Sequence, residues 1–92
     1  LVQCTVDLSG RAYDVFNCPK LNDYIGDFES CMLWEFFRAF SQNAQMTLHI
    51  NVLYGKNSHH IAEACFKSLA RALKEACLKS GRDDVLSAKG VL

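Results

Sequence analysis

Between Gln45 and Asn57 the hydrophobic pattern changes its period, and that change limits the architectures open to the chain. Met46, Leu48, Ile50 and Val52 alternate with Thr47, His49 and Asn51, the period of a strand with one buried face. After a tight connection over Tyr54 to Asn57 the spacing lengthens. Ile61, Cys65, Leu69, Ala72, Leu73 and Ala76 fall on one stripe of a helix, capped by Asn57 or Ser58 and reaching to about Lys79. A one-faced strand and a one-striped helix bury each other as two layers.

The preceding residues extend the same scheme. Val2, Cys4, Val6 and Leu8 alternate with Gln3, Thr5 and Asp7. Ser9 to Arg11 supplies a turn and Ala12 to Phe16 a second strand, which predicts a hairpin. Asn17 to Asn22, with Pro19, reads as a loop, followed by a short third strand around Tyr24 to Phe28. Asp27, Glu29 and Ser30 place acceptors and negative charge at the start of a helix expected over about Glu29 to Asn43. From Gly81 the sequence reads as a polar loop and a short tail, "SAKGVL". The expected fold is α+β: a single two-layer half-domain over residues 1–92, with a mixed sheet of about four strands and two helices on one face, in the order βββαβα.

Composition excludes several classes. Half of the 92 residues are apolar, with one proline and five glycines, which argues against disorder. Ten basic residues balance ten acidic ones, against broad electrostatic binding to nucleic acid or a membrane surface. No apolar run approaches the roughly 20 residues that span a bilayer. The five cysteines form no CxxC pair, so free thiols in a reducing compartment, serving as small core residues, are expected. The opening inside a strand pattern, without methionine, suggests part of a longer chain.

Chemistry concentrates in "YGKNSHHIAEACFK". On a helix His59 and Glu63 share a face, Lys67 lies one turn beyond, and His60 also neighbours Glu63. His59 and His60 diverge by about 100° around the axis. They are poorly placed to chelate one ion and well placed to hold two, one on either side of the helix end. Imidazole with carboxylate suits Mn²⁺, Zn²⁺ or Fe²⁺. The absence of sulfur ligands weakens a structural zinc site. The zinc-protease motif has glutamate directly after its first histidine; here that position is His60, so proteolysis is not supported. On the residues alone, a pair of surface histidines and an ordinary Glu63–Lys67 ion pair, worth about 0.2–0.5 kcal/mol, stay open. His49, alternating on a strand, reads as a surface residue.

The stretch "TLHINVLYGKNSHHIAEACFKSLARALKEA" and the ending "SAKGVL" resemble the second half of the imidazoleglycerol-phosphate dehydratase family, and "VDLSGRAYDVF" and "IGDF" fit the same half. The resemblance covers essentially the whole chain. It implies a ribosomal protein S5 domain 2-like fold and a companion N-terminal half-domain that also carries HHxxE. It further implies a large homo-oligomer of cytoplasmic (in a plant, plastid) location. The activity implied is the dehydration of imidazoleglycerol phosphate to imidazoleacetol phosphate in histidine biosynthesis, with two Mn²⁺ ions per site shared between halves and subunits. His59, His60 and Glu63 match metal ligands, and Glu63 also matches a secondary proton acceptor. Lys67 matches a lysine near the substrate, and Ser87 and Lys89 match residues that hold its phosphate. Metal coordination of the substrate's imidazole makes intelligible the loss of a proton with no neighbouring carbonyl.

One departure stands out. The family usually reads HFF at its first helix, with that histidine as a further ligand, whereas "LWEFFRAF" places Glu35 there. Glu35 is then either a carboxylate ligand or a solvated helix residue. Two other classes stay open: a non-catalytic module whose histidines bind metal only to assemble subunits, and a plain interaction domain. The "SAKG" element separates them from the enzyme, because assembly has no use for a phosphate anchor. The first helix also carries more apolar surface than one sheet needs. Met32, Leu33, Phe36, Phe37, Phe40 and Ala44 spread over about 140°, and Trp34 lies about 60° beyond Phe37, so a companion half is expected to cover the outer side.

Overall fold

A computed structural model of the chain describes residues 1–79. The elements are β1 (Val2–Asp7), β2 (Tyr13–Asn17), β3 (Tyr24–Ile25), β4 (Phe28–Glu29), α1 (Met32–Ala44), β5 (Thr47–Val52) and α2 (Ser58–Lys79). Among the described residues no helix is long and apolar enough to cross a membrane. The architecture is α+β, a mixed sheet with two helices.

The centre of the sheet is β5. It pairs antiparallel with β1, Val2 opposite Val52 through Asp7 opposite Thr47. It pairs parallel with β2, Tyr13 opposite Thr47 through Asn17 opposite Asn51. The expected hairpin between the first two strands is therefore corrected: the strand order is β1-β5-β2, and the turn at Ser9 to Arg11 spans the width of an intervening strand. The physical reason lies in β5 itself. Leu48 and Ile50 are fully buried, and a strand with the most apolar face gains most from the centre, where both of its edges are also paired.

The expected third strand is a separate ribbon, β3 antiparallel to β4. Gly26, at φ +66°, takes the first central position of its two-residue turn, where a positive φ is needed. Glu29 belongs to this ribbon, so α1 begins later than expected, at Met32. The acceptors expected to cap it do not: its N-cap is Cys31, with no side-chain cap bond.

The core forms between one sheet face and the helices. Leu33 and Phe37 of α1, Leu48 and Ile50 of β5, and Ile61, Cys65 and Leu69 of α2 make one buried cluster, with Val2, Cys4, Val6 and Phe16 half-buried against it. Their alternation along β1 and β5 leaves Thr5, His49 and Val15 in a row on the uncovered face. There the His49 and Tyr13 rings lie 6.1 Å apart, and His49 is half-buried.

Ser41, one turn beyond Phe37, is buried. Its hydroxyl oxygen lies 2.8 Å from the Met46 carbonyl and 3.1 Å from the Tyr13 carbonyl. One donor thus ties the end of α1 to the starts of β5 and β2. Trp34 is not isolated: its ring lies 4.6 Å from that of Phe16.

All five cysteines are free thiols. Burial pushes Cys65 up to about 12, with Cys18 and Cys4 adding to the rise; burial alone pushes Cys4 up to about 11. Folding thus holds these thiols protonated above their ordinary 9.0. Their contribution to stability is complete below pH 9 and is lost as pH climbs towards 11 and 12. Urea unfolding midpoints should fall over that window, and Cys65→Ala should flatten the fall. At neutral pH Phe37→Ala should cost about 3–5 kcal/mol, read from the same unfolding curves.

Candidate metal-binding helix end

The chain enters α2 through "GKNS". Gly55 sits at φ +153°, and a Cβ placed on it would meet Ile61 Cγ1 at 3.1 Å. Ile61 therefore packs directly on the backbone of the turn that precedes it. Asn57 then caps the helix: its Oδ1 accepts the His60 N–H at 3.0 Å, and its carbonyl accepts the Ile61 N–H at 2.9 Å. Ser58 Oγ accepts the Asn22 N–H at 3.0 Å, which pins the same turn to the loop after β2. Of these contacts only the Asn57 cap was legible in the sequence. The glycine before the helix is a signal for the close approach, while the Asn22 bond spans 36 residues and leaves no local trace.

Locked backbone and exposed side chains coexist here. His59 and Glu63 have side-chain exposures of 66% and 53%, and His59 Nε2 lies 3.9 Å from Glu63 Oε2. The other carboxylate oxygen, Oε1, accepts a bond from Lys67 Nζ at 3.3 Å. With both partners more than half exposed, that pair contributes little to stability; what it does is orient Glu63, one oxygen towards Lys67 and one towards His59. The three residues therefore line one face of α2, as their spacing predicts.

His60 turns elsewhere. Its ring centre lies 6.0 Å from that of His59, with the planes at 66°. It borders a recess of about 160 Å³ formed with Leu1, Tyr54, Lys56 and Asn57. The two imidazoles thus serve different directions. Among the described residues no group of three histidine, cysteine or carboxylate side chains is gathered closely enough to hold a metal ion. Glu35, in the first turn of α1, is exposed and is not brought into a cluster with His59, His60 and Glu63. Ser87 and Lys89 lie outside the described residues.

On the outer side of the helices, away from the sheet, apolar rings remain uncovered. Phe36 and Phe66 are 47% and 39% exposed, and their ring centres are 5.3 Å apart, so they form a bridge between α1 and α2. Met32 is also exposed.

Comparison with known proteins follows the same lines. The family profile described as Imidazoleglycerol-phosphate dehydratase matches residues 1–73. A protein of that name from Desulfotalea psychrophila is 50% identical over 92 residues, covering 100% of this chain and 46% of the relative. One from Clostridium novyi is 47% identical over 89 residues, covering 96% of this chain and 45% of the relative. The crystal structure of imidazoleglycerol-phosphate dehydratase from Staphylococcus aureus superposes with a TM-score of 0.76 at 43% identity, over 78% of this chain and 42% of that one. The chain spans about half the length of these relatives.

Removing the cap tests the helix start. Asn57→Ala should lower stability by about 0.5–2 kcal/mol and speed amide exchange at His60, while Asn57→Asp and Asn57→Ser restore both. An unchanged unfolding midpoint and an unchanged His60 amide would show that the cap holds nothing.

Proposed function

The chain belongs to the imidazoleglycerol-phosphate dehydratase family, and from that premise we propose that it is one half of a metal-dependent dehydratase acting in histidine biosynthesis. The full enzyme converts imidazoleglycerol phosphate to imidazoleacetol phosphate and water. This chain supplies one half of a site for two manganese ions, and a companion half and neighbouring subunits of a large homo-oligomer supply the rest. The observation that carries the reading is the helix end itself. Its backbone is held by Asn57, Ser58 and Gly55, yet His59, His60 and Glu63 are exposed and, among the described residues, no further donors gather with them to complete a metal site.

The donor set fits the ion. Two imidazoles and a carboxylate suit a divalent cation of manganese type, and their divergence suits two ions whose remaining ligands come from elsewhere. A cation held there supplies Lewis acidity to the bound imidazole ring. Glu63 would act first as a ligand to such an ion and only secondarily as acceptor for the proton leaving the substrate carbon, passing that proton to the hydroxyl departing from the adjacent carbon so that water is released. Lys67 keeps Glu63 oriented and places a positive charge beside the anionic substrate. Ser87 and Lys89 hold the phosphate, and binding energy from that remote group orients the reacting carbons. Glu35, exposed in the first turn of α1, is left as either a further oxygen ligand or a solvated helix residue. The exposed Met32, Phe36 and Phe66 surface supports a companion half packed on the outer side of the helices, since apolar patches of this kind mark interfaces.

Two variants of the complete enzyme test the assignment. His60→Ala should remove metal and activity and leave the circular dichroism spectrum unchanged; full metal content with normal turnover would refute it. Because ligating imidazole is neutral, metal affinity should also fall as pH drops from about 8 to about 5. Lys89→Ala should leave the metals in place and chiefly raise KM, with some loss of kcat. Metal binding and assembly without any turnover would instead indicate a module that uses metal only to join subunits.

A further inference from the structure

The two sides of the helix end are unequally charged. On the His59 side Lys67 Nζ lies 3.3 Å from Glu63 Oε1 and has its counterion. The His60 side has a lysine without one. Lys56 borders the recess that His60 lines, and also a second recess of about 560 Å³ formed with Asn17, Cys18, Pro19 and Tyr54. No aspartate or glutamate lines either of them. Among the described residues the exposed Lys56 ammonium makes no hydrogen bond or ion pair. Its backbone, in contrast, is held on both sides. Gly55 before it is packed against Ile61, and Asn57 after it caps the helix through the His60 N–H. The turn therefore keeps a positive charge within reach of whatever His60 holds.

Resting on the half-site reading above, in which His60 is a metal ligand, we propose that Lys56 is a further substrate-binding residue. It meets the substrate's phosphate from the His60 side and makes metal and phosphate binding cooperative. A divalent ion on His60 alone is repelled by the Lys56 ammonium, which lowers its affinity by about two- to six-fold at low salt. An anion lying between them reverses the sign. It attracts both cations, so ion and anion each strengthen the binding of the other by the same factor. Phosphate is the part of the substrate that carries such a charge. Its three terminal oxygens also leave room for another donor beside the one hydroxyl and one ammonium that Ser87 and Lys89 bring.

Equilibrium dialysis of Mn²⁺ against the complete polypeptide, with and without inorganic phosphate at matched ionic strength, tests this. In the wild type phosphate should tighten Mn²⁺ several-fold. Without phosphate, Lys56→Met should bind Mn²⁺ about two- to six-fold more tightly than wild type at about 10 mM salt, and the two should converge at about 1 M. Phosphate should no longer tighten Mn²⁺ in that variant, and Lys56→Arg should behave as wild type. Equal or weaker Mn²⁺ binding by Lys56→Met overturns the proposal, because losing a lysine that only supports the fold would not tighten the metal. Phosphate coupling that survives in Lys56→Met also overturns it. With the substrate itself, Lys56→Met should raise KM by more than it lowers kcat; an unchanged KM confines the effect to free phosphate and overturns the substrate role. His60→Ala separates the two readings. Full metal content in His60→Ala refutes the half-site assignment, whereas metal loss there beside an inert Lys56→Met refutes only the role of Lys56.

Discussion

The pairing of β5 with both of its neighbours is the interaction on which everything else depends. β1 and β2 share no bonds and meet only through it, so each strand's place is set by how well Leu48 and Ile50 bury against the helices. A register slip of one residue would turn those two side chains to the open face and bring His49 and Asn51 into the core. α1 is drawn to the same strand from one side by Leu33 and Phe37, α2 from the other by Ile61, Cys65 and Leu69. The hydroxyl of Ser41 fixes the corner where strand, strand and helix converge. The Met46 carbonyl, which also accepts the Tyr13 N–H at 3.3 Å, thereby gains a second partner at that corner.

The helix that begins at Ser58 inherits its position from this core and its exposure from its first turn. Ile61 is buried and Gly55 lies against it, so the turn cannot swing away. His59 and His60 precede Ile61 and cannot share its direction. The fold therefore delivers two imidazoles to solvent on a backbone that is capped, pinned to Asn22 and packed. Preorganisation of that kind lowers the ordering cost of taking up a ligand.

How much of this was legible varied with the range of the interaction. The β5 strand, the α2 stripe and its asparagine cap were readable because period and capping are local properties of adjacent residues. The order β1-β5-β2 was not: Ser9-Gly10-Arg11 is a good turn, and nothing nearby announces that a strand from forty residues on lies between its arms. The late start of α1 was hidden for a related reason. Glu29 and Ser30 are good capping residues, but the Gly26 turn drew Glu29 into a ribbon first. The core role of Ser41 also escaped a hydrophobic count, since its value lies in two carbonyls reached only after folding. At the candidate site, the alignment of His59, Glu63 and Lys67 followed from spacing. The tie between Ser58 and Asn22 did not.

The divergence of His59 and His60 also bears on how such a site is loaded. When no single chain holds enough donors to saturate an ion, occupancy and association become one equilibrium instead of two. Each ion captured favours the joined state, and each contact between chains raises the apparent affinity for the next ion, by mass action alone. If the proposed shared site forms, metal uptake would depend on protein concentration, and a chelator would act as a dissociating agent.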